Sequence, residues 1–248
     1  MDATVLRARS PAEILDAAFQ VVRLHFVDLM MATAAFMLLP LTLTALVPAE
    51  SLWWVMYLAR ACGTLAAGAA IALVSDFYLG RPHGAGIAIR AAWGEALMLW
   101  VVTFIKGFVV GVGLLLLIVP GIIFFAWSYV MPVTVIVEDA GPDDAWSRAR
   151  ELARGNVGRI LLTGGLTWVL MMLGGIGVGA VLGLVSAGGD MIRASAFIQV
   201  LVQAIAYPFI GVVTTLTYFD LRIRREALDV ELVAQRLGAT APKTEIAF

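Results

Sequence analysis

Acid–base and nucleophilic chemistry needs an attacking side chain and a partner that moves its proton, held within hydrogen-bond reach. This chain offers few such pairs. It has one cysteine, Cys62, and two histidines, His25 and His83, 58 positions apart. There is no Gly-x-Ser-x-Gly elbow and no His-x-x-x-His pair. A single cysteine excludes a disulfide framework within one chain and any cysteine-clustered metal site. The acidic run Glu138-Asp139…Asp143-Asp144 has the charge for a cation, but carboxylates at a helix start are already favoured by the helix dipole. No catalytic, cofactor or metal site is expected, and the reading is a protein that is not an enzyme.

The elements that would position any other polar group follow from composition. Of 248 residues 61% are hydrophobic and 14% charged, and the mean hydropathy is +0.94. Soluble domains run near 45–50% apolar and about 25% charged, so a water-soluble globule and a disordered chain are both excluded. A formal net charge of −1 argues against nucleic acid as a partner.

A helix needs roughly 20 apolar residues to cross a bilayer. Six stretches qualify, at about 26–47, 52–75, 95–118, 120–137, 157–185 and 194–219. Their apolar runs are continuous rather than alternating, which favours helices over a barrel. The third and fourth are separated only by Ile118-Val119-Pro120-Gly121 and form a tight hairpin. The fold class is therefore all-α and polytopic, one membrane domain over 1–237 followed by a loose tail at 238–248. The first stretch, about 22 residues, exceeds the 7–15-residue core of a signal peptide and reads as an uncleaved span.

Basic residues set the orientation. Of 17 Lys and Arg, fourteen fall on one side (Arg7, Arg9, Arg23, Arg81, Arg90, Arg148, Arg150, Arg154, Arg159, Arg222, Arg224, Arg225, Arg236 and Lys243). Only Arg193 falls in an opposite loop, while Arg60 and Lys106 lie inside spans. The positive-inside rule then places both termini in the cytoplasm.

Three cytoplasmic segments each run straight into a span: 10–23, 84–93 and 141–154. Ser10 is set to cap the first, with Pro11 at the first helical position and Glu13 completing a capping box. Asp16-Ala-Ala-Phe19, Arg90-Ala-Ala-Trp93 and Arg148-Ala-Arg-Glu151 align, which suggests a degenerate threefold repeat of surface helix plus two spans. After the sixth span, Asp220 to Leu237 reads as a further surface helix with Leu221, Leu228, Leu232 and Leu237 on one stripe. There Arg222, Arg224 and Arg225 would meet anionic headgroups, about 1 kcal/mol each.

Ionisable groups at membrane depth are functional candidates. Lys106 lies about 11 residues into the third span, roughly 16 Å deep at 1.5 Å per residue, with no acidic residue at matching depth. Carbonyls freed near Pro40, Pro132 and Pro208 are candidate acceptors. Arg60, Gln199 and Gln203 share a depth nearer the outer side, and two readings stand: a polar cluster, or an outward-reaching arginine beside glutamines that bond across helices. Asp28, Asp76, Glu95 and Glu138 fall at cytoplasmic span ends and are expected to pair with Arg23, Arg81 and Arg90. Gly175, Gly179 and Gly183 form a bare ridge suited to close helix packing, within the protomer or between protomers. Its glycine density imitates a dinucleotide loop, but no strand precedes it.

Pro120-Gly-Ile-Ile, Pro132-Val-Thr-Val-Ile-Val-Glu138-Asp-Ala-Gly, Ala145-Trp-Ser-Arg-Ala-Arg-Glu-Leu-Ala-Arg-Gly-Asn156 and Tyr218-Phe-Asp-Leu-Arg222 occur in this order. In these motifs the chain, over residues ~10 to ~230, resembles the membrane domain of some glycerophosphoryl diester phosphodiesterases and its stand-alone bacterial relatives. One departure is that the family often shows Arg-Ser-Trp in the third surface helix, whereas this chain has Arg148-Ala-Arg150 with Trp146 earlier. The resemblance implies a six-helix membrane domain without the family's catalytic barrel, so no phosphodiesterase activity is carried over.

Two functions follow. The first is a non-enzymatic scaffold or accessory protein that engages membrane lipid, or a membrane partner, through its cytoplasmic helices. The alternative is a small-solute or lipid transporter with a polar cavity around Lys106, Arg60, Gln199 and Gln203.

Overall fold

The structure, a computed structural model, describes residues 8–185 and 191–226, the side chains of 178, 181–185 and 191 excepted. The tail at 238–248 and the stripe beyond Leu221 lie outside the described residues, as does part of the glycine ridge.

The fold is all-α, with no strand among the described residues. The element order is α1 (Pro11–Leu24), α2 (Phe26–Leu46), α3 (Leu52–Tyr78), α4 (Ala85–Gly94), α5 (Ala96–Leu116), α6 (Ile118–Ser128), α7 (Met131–Glu138), α8 (Pro142–Ala153), α9 (Val157–Val185) and α10 (Met191–Glu226). Six stretches are long and apolar enough to span a membrane: Phe26–Leu46, Ala49–Tyr78, Ala96–Leu116, Ile118–Glu138, Val157–Gly177 and Ile192–Glu226. The order thus runs short helix, span, span, three times over. Each short helix meets its span across a one- to three-residue break.

Local chemistry accounts for these helices. At the head of α1 the Ser10 hydroxyl accepts from the Glu13 amide at 3.3 Å, and the Ser10 amide donates to Glu13 Oε2 at 2.7 Å. The capping box is present as read. The three short helices all bury small residues: Ala17 and Ala18 on α1, Ala88 and Ala92 on α4, Ala145 and Ala149 on α8. Small side chains let a surface helix lie close against a span end.

Three expectations are corrected. The fourth span is two helices, broken at Tyr129-Val130. Pro132 explains the break, because its ring excludes a helix continuing from the preceding turn. Pro40 and Pro208, by contrast, sit inside unbroken helices. The hairpin turn is one extended residue, Leu117 (φ −157°, ψ 135°), and Pro120-Gly121 lies in the first turn of α6 instead. Proline is tolerated there because the first helical amides have no intrahelical acceptor. A Cβ on Gly121 would lie 2.6 Å from the Leu114 backbone nitrogen, so this tight hairpin requires glycine. Finally, the sixth span does not end at 219: α10 continues through Asp220 to Glu226 as one 36-residue helix.

The core is built around α3, of whose most apolar stretch 67% is buried, against 17% for α5. Helix α10 crosses α3 at Gly211, where a Cβ would approach the Ala67 carbonyl oxygen to 2.6 Å. A glycine here lets two backbones touch. Helices α5 and α9 are peripheral, with Phe104, Phe108, Leu162 and Trp168 exposed along them.

Candidate functional site

Lys106 projects from α5 with its Nζ 5.7 Å from the Phe125 ring centre and 5.4 Å from that of Tyr129. Both rings belong to the α6 end of the broken fourth span, and Gly164 of α9 packs against them. The ring faces offer a charged amine a cation–π environment. No hydrogen-bond acceptor reaches Lys106 among the described residues, and the carbonyls near Pro40, Pro132 and Pro208 are not its partners. Tyr129 lies beside the hydroxyls of Thr167 and Thr214.

The polar cluster read from Arg60, Gln199 and Gln203 is not assembled. Arg60 and Gln199 are exposed, and among the described residues no hydrogen bond joins the three. Arg60 lies near Tyr207. Gln203 Oε1 is buried without a partner. Among the described residues no cross-helix bond forms from the glutamines.

Buried hydroxyls in the spans are mostly satisfied by their own helices. Thr44, Ser128, Thr134, Thr163, Thr167, Thr214, Thr215 and Thr217 each donate to a carbonyl three or four residues back. Such bonds leave no free donor to line a pathway. Thr33 and Ser75 are buried without partners.

At the end carrying α1, α4 and α8 the polar groups instead bridge helices. Glu138, closing α7, accepts from Arg148 Nε at 3.1 Å and from the Tyr218 hydroxyl at 2.6 Å. Arg148 also pairs with Glu226 at 2.5 Å, and Arg222 with Glu226 at 2.8 Å. Burial works against the Arg148 charge, but Glu226 and Glu138 outweigh it and raise its pKa further. A second cluster surrounds Asp220, which is 2% exposed. Its carboxylate accepts from the Arg9 amide at 2.7 Å and from Arg224 Nε at 3.0 Å, with Arg159 at 3.7 Å. Arg159 and Arg224 both donate to the Arg9 carbonyl.

Arg222, Arg224 and Arg225 therefore all have protein acceptors. Arg225 donates to the carbonyls of Glu151 and Arg154, where α8 ends. That satisfies orphan carbonyls of a helix C-terminus. Arg225 fastens α10 to α8 and Arg224 fastens it to the chain before α1, while Arg222 pairs within α10, with Glu226 and Tyr218. Arg23 and Arg90 are exposed, and make no hydrogen bond or ion pair among the described residues.

Of the acidic span ends, Asp76 meets Arg81 at 4.0 Å as expected. Asp28 instead accepts from the Ala85 amide at 3.2 Å. Glu95 faces Asp139, and burial first and that carboxyl second push the Glu95 pKa up. Glu138, Asp139, Asp144, Ser147, Arg148 and Glu151 line an open cleft of about 370 Å³ between α7 and α8. Among the described residues no three His, Cys, Asp or Glu side chains are grouped to hold a metal.

Among the described residues, Gly175 and Gly179 of the glycine ridge make no close helix contact. A Cβ on Gly175 would meet only Val202, at 3.9 Å, and one on Gly179 nothing. Gly183 lies among the side chains not described. Close approach is made at Gly63, Gly113, Gly121 and Gly211 instead.

The two histidines, too distant in sequence to be read as a pair, come together. Their ring centres lie 5.4 Å apart, with the Phe77 ring completing a triangle at 4.5 and 5.5 Å. No sequence signal joins positions 25 and 83, except that both sit at the same end of adjacent spans. Compared with known protein families, with curated proteins and with solved structures, the chain shows no match.

Proposed function

We propose that this protein is a non-enzymatic membrane scaffold, seated in a bacterial inner membrane with α1, α4 and α8 on the cytoplasmic side. The observation that carries this reading is a division of labour among those helices. Helices α1 and α4 expose apolar side chains, Phe19 and Leu24 on one, Ile87 and Trp93 on the other, beside the unpaired Arg23 and Arg90. That combination suits an interface with lipid headgroups. The outward residues of α8 are instead polar: Asp143, Asp144, Ser147, Arg150 and Glu151 are exposed, and Arg148 and Arg225 lock the helix in place. Helix α8 is thus a fixed, water-facing surface for a membrane partner. Kinship with the phosphodiesterase membrane domains belongs to the same proposal, supported by the meeting of four motif residues, Glu138, Arg148, Tyr218 and Arg222, in one ionic cluster.

The test is reconstitution of the full chain. Replacing Arg23 and Arg90 by Gln reduces enrichment of anionic lipid around the protein in mixed-lipid nanodiscs, while proteoliposomes of the unaltered chain pass no small solute. Flux above that of empty vesicles overturns the scaffold. A transporter is the second reading, favoured by one observation: the Lys106 amine, deep in a span, has no hydrogen-bond acceptor. It requires that flux to fall when Lys106 is replaced by Met.

A further inference from the structure

Helix α4 has no side-chain cap of its own. Its N-cap is Gly84, at φ 152°, a backbone conformation that only glycine adopts readily. The hydrogen bond at its first amide, Ala85, comes from Asp28 Oδ1 in the first turn of α2. Three residues before Asp28 is His25, the junction of α1 and α2. Its ring packs edge-on against Phe77 of α3 and against His83 of the loop that leads into α4. His83 is held over that loop by a contact of 3.1 Å between its Nδ1 and the Arg81 carbonyl. His25 Nε2 is buried without any partner. Both histidines of the chain thus lie where the start of α4 is tied to the first two spans.

We propose that His25 and His83 form a proton-operated latch that holds the start of α4 against the bundle when both rings are neutral and releases it when they are protonated. Neutral rings pack edge to face with Phe77 without opposition. Protonation sets two like charges at 5.4 Å, where they repel. It also gives the His25 ring, beside the Asp28 carboxylate, a cation that competes with the Ala85 amide. The loop between Gly80 and Gly84, both at positive φ, is the segment that yields.

The charged groups around the pair are few. Helix α2 contributes Asp28, α3 contributes Asp76, and the loop contributes Arg81, which pairs with Asp76. Arg23 of α1 and Arg90 of α4 are exposed; of the charged residues of α10, Asp220, Arg222, Arg224 and Glu226 are held in the Asp220 and Glu226 clusters, and Arg193 and Arg225 donate to backbone carbonyls elsewhere. Burial first, and His83 second, lower the His25 pKa below its usual 6.5, with Asp28 opposing. A histidine that charges less readily when latched favours the latched state above pH 6.5. That advantage is lost as pH falls from there through the lowered value. The latch serves a scaffold or a transporter equally.

Amide hydrogen exchange over residues 85–94, read by mass spectrometry on the full chain in nanodiscs with a chelator present, tests it. Rates are compared at about pH 7.5 and about pH 5.5 after correction for intrinsic exchange. The expected result is exchange at least about fivefold faster at the lower pH in the unaltered chain, with the response reduced below about twofold in His83→Gln. His83 is exposed, so that variant keeps the fold. His25→Gln, checked for folding by size exclusion, is expected to lose the response as well. Asp28→Ala is expected to exchange fast at both pH values. Equal corrected rates in the unaltered chain overturn the latch, and so does a pH response that survives in both histidine variants.

Discussion

Near its end α10 carries Asp220, whose carboxylate takes hydrogen bonds from the Arg9 amide and Arg224 and lies 3.7 Å from Arg159. One turn deeper on the same helix, Thr214, Thr215 and Thr217 donate only to α10's own carbonyls. Within about 10 Å along one helix, at 1.5 Å per residue, the polar groups change from joining neighbours to serving themselves. Directional bonds between distant segments specify which helices meet, and here they sit mostly where water can solvate the surplus charge. In the interior, where a lost partner is costly to leave unpaired, helix meetings are set largely by shape, at Gly63, Gly113, Gly121 and Gly211. Two further cross-helix bonds, Trp100 Nε1 to the Ala61 carbonyl and, at the opposite end of the spans, Arg193 to the Ala45 carbonyl, end on backbone rather than on another side chain.

The contrast can be broken from either side. Asp220→Ala leaves Arg159, Arg224 and the Arg9 amide facing a buried gap. It is expected to cost about 3–5 kcal/mol in denaturant unfolding of the nanodisc-embedded chain. A loss under 1 kcal/mol would mean that the cluster reorganises around water. Gly211→Ala strikes the interior by shape alone, because its Cβ would meet a backbone oxygen at 2.6 Å. The expected loss is about 1–3 kcal/mol, and an unchanged midpoint would show that α3 and α10 can separate freely.

Tyr218→Phe removes one hydroxyl donor to the Glu138 carboxylate and is expected to cost about 1–2 kcal/mol. Glu95→Gln works in the opposite direction. Burial and Asp139 raise the Glu95 pKa, so folding is favoured by its protonated form and stability falls as pH climbs above the usual carboxylate range. The neutral variant is expected to melt slightly higher than the unaltered chain at pH near 7, and the gain should vanish in acid. Smallest of all is Thr215→Val, whose hydroxyl serves only its own helix. It should stay within about 0.5 kcal/mol, and a larger loss would reveal a cross-helix role.

The sequence carried much of this architecture because the bilayer imposes a length and a polarity on every span. Apolar runs placed all six, and the local rule of the capping box placed Ser10, Pro11 and Glu13. The break at Tyr129-Val130 was missed because proline 132 can end a helix or sit inside one, as Pro40 and Pro208 do. The extension of α10 to Glu226 was missed because arginines after an apolar run read as a boundary. What such a run cannot show is that Asp220, Glu226 and Arg225 wait to meet the Arg9 amide, Arg148 and the Arg154 carbonyl on other segments. Partners 71 to 215 residues apart leave no periodic trace, and the pairing of His25 with His83 is hidden for the same reason. Gly175 and Gly179 on α9 show the converse, a strong pattern that finds no close partner among the described residues.

Whether the interior is sealed is the question on which the scaffold stands, and Lys106 is the place to ask it. A single cysteine is introduced by Lys106→Cys in a Cys62→Ser background, and the folded chain is reconstituted in sealed vesicles. It is then exposed to membrane-impermeant thiol reagents from each side in turn. The account predicts no labelling from either side, with full labelling once the protein is unfolded in detergent. Labelling from one side before unfolding would contradict it, and would put a water-filled path at the middle of the bundle.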